Sequence, residues 1–119
     1  MSLVFNAKTY VADAATGPNS IPYNGPAATL AIKDRMDVSR VPPKGNSVYS
    51  GNARSRFKLT RTQTLTGAKT TSADSIFDIS ASIPVGTADA AIDTACADLG
   101  ALVVTTAFKD SLKKQQINI

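Results

Sequence analysis

Arg54, Arg56 and Lys58 recur at every second position, and Thr60, Thr62 and Thr64 continue the series. In an extended chain successive side chains point to opposite faces, so these six share one face while Phe57 and Leu59 fall on the other. Lysine and arginine in such a row neutralise phosphates and displace their condensed counterions. Hydroxyls beside them add hydrogen bonds to phosphate, sugar or base. Two further alternating series have the same character: Thr29, Ala31, Lys33 and Arg35 against Leu30, Ile32 and Met36, and Asp78, Ser80 and Ser82 against Phe77, Ile79, Ala81 and Ile83. This is equipment for holding a polyanion, not for breaking bonds.

The residue types that are missing point the same way. The 119-residue chain has no His, no Trp and no Glu, and Cys96 is its one cysteine. That excludes a Ser-His-Asp or Cys-His centre, a His-ligated metal site and a disulfide within one chain. No enzymatic activity, cofactor or metal is expected. Asp89 and Asp93 stand one helical turn apart, but compensation of a helix N-terminus accounts for them. Cys96 reads as an inert member of an apolar helix face, since no cation neighbours it in sequence. The Gly45, Gly51 and Gly67 loops lack phosphate-loop spacing and read as turns.

The formal net charge of +4 hides an uneven distribution. Residues 1–32 balance Lys8 against Asp13, residues 33–69 carry nine cations against Asp34 and Asp37, and residues 70–119 carry three lysines against six aspartates. A basic middle with an acidic end suits a polyanion binder with its back to solvent. On charge alone, an unevenly charged soluble surface is an equal reading.

These residues need elements to position them. One domain is expected over 1–119, with a hairpin and sheet over 1–85 and helices over 87–117. Residues 3–12 read as extended, and turn signals follow at Thr16-Gly17-Pro18-Asn19-Ser20 and Tyr23-Asn24-Gly25-Pro26. Strands are expected over 27–41, 54–65 and 76–85, with Arg61 on the apolar side as a rim residue or interface pair. Thr87 is the expected cap of a helix in which Ala91, Ile92, Ala95, Cys96, Leu99, Leu102 and Val103 form an apolar stripe. The β-branched run Val103-Val104-Thr105-Thr106 predicts a kink or restart, followed by a second helix presenting Phe108 and Leu112. The fold class is therefore α+β, an antiparallel sheet followed by two C-terminal helices. A chain this small with so long a stripe needs a neighbour to bury it. No export signal or membrane span is read, and a lone thiol fits a reducing cytoplasm.

Three stretches resemble the coat proteins of the single-stranded RNA bacteriophages, the leviviral family. They are Asn52-Ala53-Arg54-Ser55-Arg56-Phe57-Lys58-Leu59, Ser75-Ile76-Phe77-Asp78-Ile79-Ser80-Ala81-Ser82-Ile83-Pro84, and Thr87 to Leu112, in the family's order. The resemblance implies an N-terminal hairpin, a five-stranded sheet and two helices. It implies an intertwined dimer with a continuous ten-stranded sheet, each subunit's helices lying over its partner. It further implies an icosahedral shell around the phage genome, assembled in the bacterial host cytoplasm, with no membrane partner. A genomic hairpin docked on the sheet would repress replicase translation and mark the RNA for packaging.

Carried over residue by residue, the RNA-facing positions implied are Thr29, Lys33, Arg35, Arg54, Arg56, Lys58, Thr60, Ser80 and Ser82. The implied dimer interface takes in Ile92, Cys96, Leu99, Leu102, Val103, Phe108 and Leu112. Ile76 stands where the best-known relatives carry a base-stacking Tyr, and Asp78 is expected to repel phosphate locally. The loop at residues 66–74 has no cysteine, so disulfides between subunits are not expected. The alternative from another class is a nonviral small dimeric RNA-binding regulator.

Overall fold

The computed structural model describes residues 1–118, in two compact units, residues 1–85 and 86–118. The first unit is one antiparallel sheet of six strands in sequence order. They are β1 (Ser2–Phe5), β2 (Lys8–Ala12), β3 (Ser20–Asn24), β4 (Asp34–Val41), β5 (Asn52–Thr64) and β6 (Ser72–Pro84). The β1–β2 hairpin turns on Asn6 and Ala7, both left-handed (φ 49° and 58°), the two-residue turn whose twist matches that of paired strands. It joins the other strands through β3 as part of the same sheet.

β3 escaped the sequence reading because it is five residues long, lies between two clusters of turn residues and contains Pro22. The proline is tolerated because it sits where the β2–β3 pairing runs out: past Tyr23 its carbonyl still accepts the Asp13 amide (2.9 Å), and only the one donor it lacks is missing from that side.

The strand expected over 27–41 begins instead at Asp34. The segment before it is a turn in which the Ile32 amide donates to Thr29 Oγ1 (3.0 Å) and the Thr29 amide to the Ile32 carbonyl (2.8 Å). Leu30 and Ile32 alternate like strand residues but are exposed and lie outside the strands. A threonine that bonds its own backbone has displaced the ladder.

β5 and β6 pair over thirteen residues, from Asn52 opposite Pro84 to Thr64 opposite Ser72. This register puts Phe57, Leu59, Phe77, Ile79 and Ile83 on one face with Met36 and Val38 of β4. The hairpin end of that face is closed, where Tyr10 is fully buried and its ring stacks on Phe5 at 4.8 Å. Farther along, Phe57, Phe77 and Ile79 remain exposed, Ile79 by 60%.

In the second unit, α1 (Asp89–Val103) and α2 (Thr106–Lys114) meet at a 60° bend. The cap expected at Thr87 moves to Ala88, whose side chain makes no capping bond, and Asp89 alone serves the first turn. The break expected at the β-branched run is present. Thr105 Oγ1 accepts the Phe108 amide (3.2 Å) and donates to the Leu102 carbonyl (2.7 Å), so one hydroxyl ends α1 and starts α2. Lys113 and Lys114 occupy the last turn, favourable for the dipole. No side chain of either helix is buried; Ile92 and Phe108 are half-buried, and Cys96, Leu99, Leu102, Val103 and Leu112 are exposed. Cys96, expected as core, is therefore an open thiol in the single chain. Among the described residues no single helix is long and apolar enough to cross a membrane.

Candidate nucleic-acid interface

The opposite face of the sheet is built by β4, β5 and β6 in strict register. Arg35 lies opposite Thr60, Asp37 opposite Lys58, Ser39 opposite Arg56 and Val41 opposite Arg54. On the other side of β5, Thr60 faces Ile76, Lys58 faces Asp78, Arg56 faces Ser80 and Arg54 faces Ser82. Seven of the nine residues expected at this surface, Arg35, Arg54, Arg56, Lys58, Thr60, Ser80 and Ser82, thus lie in one patch. Thr60 is buried within it, while Ser80 and Ser82 are open.

Thr29 and Lys33 are the two outside the strands. Thr29 is spent on its own turn. Lys33 sits beside β5, its amide donating to Thr62 Oγ1 (2.9 Å) and its Nζ paired with Asp74 at 3.1 Å.

The charges on the patch are not equivalent. Arg56 donates bidentately to Asp78, with Nε 2.8 Å from each carboxylate oxygen and Nη2 also on Oδ2. That bond holds the Asp78 carboxyl below, and the Arg56 guanidinium above, its usual pKa. Asp78, expected to repel phosphate locally, therefore stands on the face as half of an ion pair, with Lys58 also bearing on it. Arg35 is neutralised along its own strand by Asp37, at 2.6 Å. The side chains of Arg54 and Lys58 have no hydrogen bond or ion pair among the described residues; Lys58 is half-buried and lies near Asp78, whereas Arg54 is exposed, which makes it the most available cation of the face. A shallow depression of about 560 Å³ opens beside it, lined by Ser39, Val41, Arg54, Arg56, Ser80 and Ser82 among others.

Asn52 belongs to this surface and was missed. Its Nδ2 donates to Ser82 Oγ at 3.0 Å, and its Oδ1 accepts the Tyr49 hydroxyl. Extending the period-two series one step back from Arg54 would have found it.

Arg61 lies on the apolar side, as its parity requires, and is committed within the chain. It donates to Asp34 Oδ1 (3.2 Å) and to the Tyr10 hydroxyl (2.8 Å), and Tyr10 donates to the same Asp34 oxygen at 2.6 Å. Burial pushes Asp34 towards protonation, but the bonds from Tyr10, Arg61 and the Ala27 amide outweigh it and hold the carboxyl below its usual range. Burial, and then the bond to Asp34, raise Tyr10.

No known family model matches the sequence, and no curated relative does. Solved structures do match. The chain is similar to one from the virus-like particle of Wenzhou levi-like virus 4, with a TM-score of 0.76 at 18% identity over 92% of this chain and 77% of that one. A chain from the virus-like particle of Beihai levi-like virus 32 gives 0.75 at 14% identity, covering 93% and 84%. One from the virus-like particle of bacteriophage AVE019 gives 0.73 at 13% identity, covering 100% and 96%. A six-stranded antiparallel meander followed by two bent helices is thus a shared architecture, and the chain has the leviviral coat-protein fold.

Proposed function

We propose that this protein is a viral coat subunit that dimerises, assembles into a closed icosahedral shell and holds single-stranded genomic RNA against the polar face of its sheet. The observation that carries the reading is the two-sidedness of the sheet. One face bears Arg54, Arg56, Lys58, Ser80 and Ser82, while the other leaves Phe57, Phe77 and Ile79 open. Covering what is still exposed of such side chains is worth on the order of 1 kcal/mol each, and the stripe of Leu99, Leu102, Val103 and Leu112 needs cover for the same reason. A second copy supplies both needs if each copy's helices lie over the other's sheet.

The edge of the sheet supports the same partner. Among the described residues β6 pairs with β5 alone, so over residues 72–83 its outer side offers an edge to a second β6. In that arrangement the helices look outward and the cationic face inward, towards RNA. Docking of a genomic hairpin on this face would also repress translation.

Expression of the full chain alone in bacteria tests the reading, followed by size exclusion and electron microscopy. Uniform RNA-filled particles are expected. A persistent free dimer that binds RNA would instead select the small regulator.

A further inference from the structure

Stacking of a base needs an exposed aromatic face held still, and the loop between β4 and β5 builds one. Asn46 Oδ1 accepts the amides of Val48 (2.9 Å) and Tyr49 (2.8 Å), and the Asn46 amide donates to the Tyr49 carbonyl at 2.7 Å. Both backbone groups of Tyr49 are therefore fixed by one residue. Gly51 is buried at φ 91°, and a Cβ there would stand 2.7 Å from the Lys44 carbonyl oxygen, so the two ends of the loop close tightly. The side chain is fixed as well, through its hydroxyl on Asn52, which in turn holds Ser82.

This expenditure of bonds does not bury the ring: Tyr49 remains 51% exposed. It stands at the end of the face where Arg54 is unpaired, and Ser82 is the register partner of Arg54. We propose that Tyr49 is a nucleobase-stacking platform for single-stranded RNA, with Arg54 taking the phosphate of the stacked nucleotide and Asn52 holding the ring in place. A rigid aromatic beside a cation is the combination that captures unpaired bases without requiring a particular sequence. This assignment rests on the proposed RNA-binding role of the sheet face.

The test uses the full-length protein and two labelled probes of equal length, oligoadenylate RNA and the same sugar-phosphate chain without bases, read by fluorescence anisotropy. The wild type is expected to prefer the base-bearing probe. Tyr49→Leu, which keeps apolar bulk and removes the π face, should weaken that probe by about 5- to 150-fold, the range found for removal of a stacked aromatic. Its affinity for the abasic probe should be unchanged, which also reports that the variant is folded. Tyr49→Phe keeps the π face and loses only the bond to Asn52, so it should retain the preference in weakened form. Equal binding of both probes by the wild type, or an unaltered preference in Tyr49→Leu, would overturn the platform while leaving phosphate binding in place. Failure of the wild type to bind either probe would overturn the platform and the RNA-binding face together.

Discussion

The Tyr10 hydroxyl meets the Asp34 carboxylate at 2.6 Å across a strand that separates them in the sheet, and it does so over Gly25. The Gly25 amide donates to the Asp34 carbonyl at 2.7 Å, extending the β3–β4 ladder by one residue that has no side chain. Tyr10 and Asp34 close over that gap, and Arg61, the register partner of Asp34, completes the cluster. The N-terminal hairpin is thereby tied to the long strands by side chains as well as by backbone.

Gly25→Ala should be strongly destabilising. The new Cβ would lie 2.5 Å from Asp34 Oδ2 and 2.6 Å from the Tyr10 ring, so both partners of a buried bond would have to move. A loss of about 1–3 kcal/mol is expected by denaturant unfolding. Gly17→Ala is the control, since its Cβ would meet nothing within 4 Å. Equal stability of the two variants would contradict the close approach.

Asp34 makes stability depend on acid. Its pKa in the folded chain lies below its unfolded value, so the unfolded state binds the proton first as pH falls. The contribution is complete above about pH 4, the ordinary carboxylate range, and is lost as pH drops through the lower folded value. Asp34→Asn should flatten the slope of unfolding free energy against pH below 4. Asp74 and Asp78 are also held low and contribute slope of their own, so the informative quantity is the difference between wild type and variant. Parallel curves would remove Asp34 from the account.

Single-stranded RNA binding should lose salt dependence unevenly across the cationic face. Arg54→Ala with Lys58→Ala should reduce the slope of log affinity against log salt by about 1.4, at roughly 0.7 per neutralised phosphate on a single strand. Arg56→Ala alone should change it less, because Asp78 already neutralises Arg56. Asp78→Asn should steepen the slope by releasing that guanidinium. An equal effect from every cation would mean that the Arg56–Asp78 pair opens on binding.

The exposed helical stripe should govern self-association. Leu99→Asp with Leu102→Asp replaces side chains that are not buried in the single chain, so helix content by circular dichroism should hold. Size exclusion should then show a monomer or aggregate in place of dimers and the particles built from them. Truncation after Val85 should likewise leave no soluble dimer. A folded dimer from either variant would place the interface elsewhere.

Period-two alternation on a half-covered sheet is a property of the chain itself, and it made the two faces of β5 and β6 legible from residue types alone. The break between the helices was legible too, because four β-branched residues in a row weaken a helix wherever they fall. Residues 27–33 carried the same alternation and misled, since alternation marks a strand only where a neighbour pairs with it, and Thr29 bonds its own turn instead. β3 was hidden for the converse reason: five residues around a proline become a strand through flanking partners. The tertiary structure alone decided which cations stay available. The register of β5 on β6 sets Asp78 diagonally across from Arg56, leaving the Arg54 side chain without an ion pair, and the approach of Tyr10 to Asp34 past the end of β3 is what requires a glycine at Gly25. Ion pairs and close approaches between residues 22 or 24 positions apart depend on strand register, which local composition does not encode.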